Sequence, residues 1–369
     1  MKKCFALFLA ALILLTGCAE KKNKVVTVTL CADGWEDGIA LQELLDRFHE
    51  THPDIVVTLS GQPVEPELAE TTEAAVPHQL LLCNLFDPEV SRSSGDLSAL
   101  WTGDSAPDFH PEVLPLCTDG ERYTFYPFRV LPFCMGINID LFVQTGAIQY
   151  IDTDKKTWTA EDLEQAVRCL YEAGYQEIGL IPCVGIPQDH STRALVSNLS
   201  GGSLIRDAAS ACNGETTRAL QLLAALPGIR FDTGTDGNGE AFLFATGTHA
   251  LSFCWDPSTA AAYAERTEFD VFPMAFPTQG NAPRLYGDIW GFRLISDEDE
   301  EKQAAAMTFL QWLAGSTAAA TEYDALTPYI VAPLPGEDDF REDWQQLLTD
   351  ISAGIDPAIA ISDLAGRIR

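Results

Sequence analysis

Two hydrophobic periods alternate along this chain, and their order is the first structural signal. Residues 25–30 read Val-Val-Thr-Val-Thr-Leu, a strand-like pattern, and Leu41, Leu44, Leu45 and Phe48 then recur at helical spacing. His52-Pro53-Asp54 ends that helix, and Ile55 to Leu59 forms the next strand. A strand–helix–strand opening predicts a parallel sheet with helices on its faces. Residues 60–78 are polar and irregular, and Gln79 to Cys83 reads as a buried strand running into Asn84-Leu85-Phe86-Asp87. Tyr126 to Ile139 is dense in apolar and aromatic residues and punctuated by Pro127 and Pro132, which suggests extended crossing strands.

The middle of the chain keeps alternating. Thr159 with Asp162 three residues on approximates a capping box, Leu163, Val167, Leu170 and Tyr171 make an apolar face, and Gly174 stops the helix. A strand follows at Ile178 to Ile181, then helices near 190–199 and 214–226, then a strand at Ala250 to Trp255. Phe269 to Pro277 and Gly287 to Leu294 are further strands, and helices at roughly 298–314 and 341–354 precede a short one near the C-terminus. No internal repeat or low-complexity segment interrupts this order.

The first eighteen residues stand apart. Lys2 and Lys3 precede an almost unbroken apolar run from Phe5 to Leu15, too short to span a bilayer comfortably and laid out as a secretory signal. Leu15-Thr16-Gly17-Cys18 resembles a bacterial lipobox, in which the cysteine is lipidated and becomes the first mature residue. Residues 1–17 are thus expected to be a signal peptide and 18–24 a lipidated tether. A diacylglyceryl group on Cys18 supplies the two chains that stable anchoring takes. Ala19 follows, with no Asp to retain the protein at an inner membrane, so the outer face of the cytoplasmic membrane of a single-membrane bacterium is the simpler home.

The formal charge is −31, and losing Lys2 and Lys3 with the leader takes it to −33. A body this acidic disfavours nucleic acid and anionic lipid headgroups as partners. Eight cysteines beyond Cys4 and Cys18 sit singly, often in apolar runs such as Leu81-Leu82-Cys83, and read as small buried hydrophobes. Catalytic patterns are missing: there is no GxSxG, HExxH or P-loop. Asp232-Thr233-Gly234-Thr235-Asp236-Gly237 begins like a calcium loop, but Gly234 replaces a ligand and Leu243 stands at the bidentate Glu position, so a turn-rich loop is the reading. No metal site and no cofactor are expected.

Several of these stretches, in this order, resemble the family 1 extracellular solute-binding proteins of ABC importers, the group related to the maltose-binding protein. Residues 26–58 are similar to the family's opening. Gly136-Ile137-Asn138-Ile139-Asp140-Leu141-Phe142 with Gly146 and Thr157-Trp158-Thr159-Ala160-Glu161-Asp162-Leu163 resembles its "YN-x-DLF … TW-x-EL" pattern, with Ile137 where an aromatic usually stands. Ser200-Gly201-Gly202, Phe242 to Leu251, Phe269 to Met274, Gly287 to Phe292 and Ala304 to Leu313 follow in the family's order. The resemblance implies a two-lobed periplasmic-binding-protein-like α/β fold, each lobe a mixed, mostly parallel sheet flanked by helices, with a hinge of crossing strands. Lobe 1 is expected over 25–130 and 275–322, lobe 2 over 131–274 and 323–369. It further implies a monomer that closes on a small solute, most readily a sugar or oligosaccharide, and passes it to a membrane permease.

Sugar recognition needs aromatic faces beside planar polar groups, on loops at the carboxyl ends of strands. Asp33, Trp35 and Glu36 follow the first strand: Trp35 either stacks on ligand or packs under its own loop. Trp255 ends another strand where the family often has a ligand-facing Trp, the alternative being a core Trp. Asp288 and Trp290 are two apart on one strand and so share a face. Asn84 is a ligand contact or a loop cap, and Arg129 pairs with a ligand or with a structural carboxylate. The rival readings are a secreted lipoprotein glycosidase, whose two carboxylates need only meet in space, and an adhesion or sensory lipoprotein of the same fold.

Overall fold

The computed structural model describes residues 25–32, 35, 38–60, 79–87, 95–101, 108–185, 188–295, 299–315, 321–334 and 339–367. In chain order the elements are β1 (Val26–Cys31), α1 (Gly38–Thr51), β2 (Ile55–Ser60), β3 (Leu80–Asn84), β4 (Thr118–Asp119), β5 (Arg122–Tyr123), β6 (Tyr126–Pro132), β7 (Cys134–Asn138), α2 (Ile139–Thr145), α3 (Ala160–Glu172), β8 (Gly179–Pro182) and α4 (Gln188–Ser200). Then come α5 (Ala208–Ala211), α6 (Gly214–Ala225), β9 (Ile229–Asp232), α7 (Gly237–Ala245), β10 (Leu251–Trp255), α8 (Pro257–Tyr263), β11 (Val271–Met274), β12 (Leu285–Leu294), α9 (Glu300–Gly315), β13 (Ile330–Ala332), α10 (Phe340–Ser352) and α11 (Pro357–Arg367). The chain divides into two compact units, residues up to 82 with 294–315, and 83–293 with 316–369.

In the first unit β1 pairs in parallel with β2, from Val26 opposite Ile55 to Cys31 opposite Ser60, and with β3 through Leu30 and Leu80. Val28 and Leu30 are sealed while the residues between them are not, which is the alternation read in the sequence. Helix α1 buries Leu41, Leu45 and Phe48, and the Phe48 ring meets Phe309 edge-on at 5.1 Å and Trp312 at 5.3 Å on α9. Gln79, wholly buried, takes the Thr29 amide N–H on its side chain at 2.9 Å and the Ile295 N–H on its carbonyl at 2.9 Å. These bonds offset the cost of burying both of its carbonyl oxygens.

In the second unit β12 runs antiparallel to β6 and parallel to β13. A three-stranded antiparallel sheet places β7 between β10 and β11, and β8 pairs in parallel with β9. The expected crossing segment is therefore β6 and β7 in succession, joined at Phe133, each in a different sheet. The capping box is present: Thr159 Oγ1 accepts the Asp162 N–H at 3.1 Å, and Asp162 accepts the Thr159 N–H at 3.0 Å. The calcium-like loop is a turn, with Asp232 accepting the Gly234 N–H and Asp236 capping α7 through the Gly239 N–H. The eight described cysteines form no disulfide, and Cys83, Cys117, Cys134, Cys183 and Cys254 are buried.

Candidate functional site

Strand β12 gathers most of the polar candidates. Asp288 and Trp290 are half-buried, while Ile289 between them is fully enclosed. On β6, Leu131 stands opposite Asp288 and Arg129 opposite Trp290. Residues facing each other across a ladder share a side of the sheet, so Arg129, Asp288 and Trp290 form one patch. Asn84 joins them from the end of β3, where the Leu85 N–H donates to the Ile289 carbonyl at 2.7 Å. Its amide donates to Asp288 Oδ1 at 2.9 Å, and its own oxygen accepts the Phe86 N–H at 3.0 Å. The backbone contact fixes which end of the amide is the donor.

Asp288 is the electrostatic centre of this patch. Burial pushes its carboxyl above the ordinary carboxylate range; the Asn84 hydrogen bond opposes the rise, the charge of Asp256 adds to it, and His190 opposes it. One carboxylate oxygen is held by Asn84, and among the described residues none donates to the other. Such a group accepts a hydroxyl hydrogen, and the neighbouring Trp290 ring offers an apolar face.

Trp255 has a different setting. Its side chain is 1% exposed, lies edge-on to Phe244 at a ring separation of 5.1 Å, and donates its indole N–H to Tyr323 Oη at 3.2 Å. Gly136 on β7 makes room for it, since a Cβ there would stand 3.0 Å from both the Phe244 and Trp255 rings. This is the core placement left open by the sequence. The next residue, Asp256, leaves the strand to cap α8, accepting the Thr259 N–H at 2.7 Å.

Trp35, in the first unit, is half-buried and donates its N–H to the Ala32 carbonyl at 3.2 Å. Asp33, Glu36 and Cys18, with the signal segment, lie outside the described residues. Within the second unit, then, Asn84, Arg129, Asp288 and Trp290 come together, and Trp255 packs in the core. Sequence reasoning missed His190 and Asp256, whose charges act on Asp288. Asp256-Pro257 after a strand is a readable helix start, with a capping acid and Pro at the first turn. For His190, on α4, no local signal exists. Among the described residues no group of three or more His, Cys, Asp or Glu is arranged to hold a metal, and no helix is long and apolar enough to cross a membrane.

Comparison with known proteins adds the fold. No family model matches the sequence, and no curated protein does. Among solved structures, the chain is similar to apo RafE from Streptococcus pneumoniae, with a TM-score of 0.66, 14% identity, and 92% of this chain and 96% of that one covered. It is similar to the cyclic alpha-maltosyl-1,6-maltose binding protein from Arthrobacter globiformis, with a TM-score of 0.58, 17% identity, and coverage of 92% and 97%. Maltose-bound MalE3 from T. maritima follows with a TM-score of 0.54, 17% identity, and coverage of 93% and 99%. Over nearly its whole length the chain therefore has the mixed α/β fold of the two-lobed, periplasmic-binding-protein-like structures.

Proposed function

We propose that this chain is a lipid-anchored, extracellular solute-binding protein that captures a small carbohydrate and delivers it to an ABC importer permease. The observation that carries this reading is the β12 patch: a half-buried Trp290 beside Asp288, Asn84 and Arg129, on a fold shared end to end with maltose- and cyclic maltosyl-maltose-binding proteins. An indole flanked by planar hydrogen-bonding groups suits a pyranose, whose ring has an apolar face and a hydroxyl edge. Trp35, Asp33 and Glu36 belong to this reading as contacts from the loop after β1. Cys18 as the lipidated residue keeps the binder beside its permease, raising local concentration without any new protein contact. The role needs no bond making or breaking, so the protein acts as a binder and not as an enzyme.

The test is isothermal titration calorimetry of the mature chain against mono- and oligosaccharides, with the sugar recovered and analysed afterwards. Stoichiometric binding of sugar that is returned intact is the expected result. Cleavage of the sugar would establish the glycosidase reading instead, and an absence of binding across the set would sink the carbohydrate assignment. Metabolic labelling with palmitate, abolished by Cys18→Ser, tests the anchor separately.

A further inference from the structure

A second recess, sharing no residue with the β12 patch, lies in the part of the second unit built on the three-stranded sheet. It is an open hollow of about 490 Å³. Its apolar lining includes Phe269 and Phe272, with the buried Trp255 ring beneath, α8 contributes Ala260, and the two charged groups on it are Asp270 and Glu322. No lysine, arginine or histidine lines it among the described residues. Both acids reach solvent. Burial raises the Glu322 carboxyl, the Lys156 charge lowers it, and Asp270 raises it further, so the two carboxylates repel each other.

One cation is already drawn here by the protein itself. Lys156 Nζ sits 3.4 Å from the centre of the Phe272 ring. The side chain is only 7% exposed, and its ammonium donates no hydrogen bond to any described residue. What holds it is the ring and the field of Glu322, which opposes the loss of its proton that burial favours. Its backbone is committed to this position: Lys156 is the one non-glycine with positive φ among the described residues, at 56°, and its carbonyl takes the Ala275 N–H at 2.9 Å. An ammonium set on an aromatic ring, with no described residue accepting from it, marks the neighbourhood as one that attracts a cation.

We infer that this hollow is a binding site for a small organic cation, an alkylammonium or quaternary ammonium group seated against its aromatic lining and countered by Glu322 and Asp270. A hard metal ion is a poor fit, because two carboxylates beside aromatic carbon supply few of the oxygens it requires. An ammonium with a methylated or alkyl body matches both the rings and the charge. The site is independent of the carbohydrate reading and shares no residue with the β12 patch.

The probe is tetramethylammonium chloride, titrated into the mature chain at constant ionic strength and followed by calorimetry and saturation-transfer NMR, with sodium chloride and the uncharged tert-butanol as controls. Saturable binding of tetramethylammonium is expected, with tert-butanol weaker by about fivefold or more. Glu322→Gln is expected to weaken it by about five- to tenfold, and Asp270→Asn, at an exposed position, to weaken it with no change in melting temperature. Lys156→Met, which removes the internal competitor for Glu322, is expected to tighten it. The site is refuted if tetramethylammonium binds no better than tert-butanol or sodium, or if the double variant Glu322→Gln, Asp270→Asn binds it as well as the parent does.

Discussion

Two strands of the second unit each carry a tryptophan and an aspartate, and they put them to opposite uses. On β12 the two are separated by one residue, Asp288 and Trp290, and both stay half-buried on one side of the sheet. On β10 they are adjacent, Trp255 and Asp256, so the ring turns into the core while the acid leaves the strand to start α8. The same two residue types thus give an open polar patch in one place and a sealed core with a helix cap in the other. Spacing along the strand, not residue identity, decides which.

The contrast is sharpest in stability. Trp255→Ala is expected to cost about 3–5 kcal/mol in denaturant unfolding, because it empties a packed core and strands the Tyr323 hydroxyl. Trp290→Ala should leave the unfolding midpoint nearly unchanged and abolish sugar affinity instead. If both variants lost stability alike, the distinction between core and patch would fail.

Strand β10 also rests on a buried acid, whose carboxyl is shifted in the same direction as that of Asp288 on β12. Glu240 on α7 is fully enclosed, accepts the Ser252 hydroxyl and the Phe253 N–H at 2.7 Å each, and is pushed by burial from 4.5 up to about 8. An acid whose folded value is raised holds its proton better in the folded state. The stability that this acid contributes is therefore complete below pH 4.5 and drains as pH rises toward 8, by on the order of 1 kcal/mol per pH unit. Glu240→Gln is expected to flatten that slope in melting curves recorded from pH 5 to 8. A slope unchanged in the variant would place its cause elsewhere.

Smaller effects separate the two aspartates. Asp256→Ala removes a helix cap, at about 1 kcal/mol of stability, and lowers the Asp288 carboxyl by removing a like charge. Asp288→Asn is expected to be neutral for folding, since burial disfavours its charge, yet to weaken sugar binding by about tenfold. A fall in thermal stability larger than the fall in affinity would recast Asp288 as structural.

Much of the fold was legible because local chemistry and tertiary role agree there. The β1–α1–β2 opening follows its periods, and the Thr159–Asp162 box starts α3 where two reciprocal hydrogen bonds make it start. Helices α7 and α8 escaped notice for opposite reasons. The first is apolar nearly all round and begins Gly-Asn-Gly, so it shows no stripe; the second is seven residues of mostly small side chains, whose only mark is Asp256-Pro257. The patch was half legible. Strand alternation pairs Asp288 with Trp290, but Asn84 meets Asp288 across 204 residues, which no local pattern encodes. Trp255 misleads in the same way: the notch that receives it is Gly136, on another strand.

That notch ties the histories of two positions together. With rings 3.0 Å from where a Cβ at residue 136 would stand, a side chain there requires the Phe244 and Trp255 rings to give by a few tenths of an ångström. Gly136→Ala alone is expected to cost about 1–3 kcal/mol by overpacking, and Trp255→Phe beside it should recover part of that loss. The two sites, 119 places apart in the chain, share one small volume, so what either can hold depends on the size of the other.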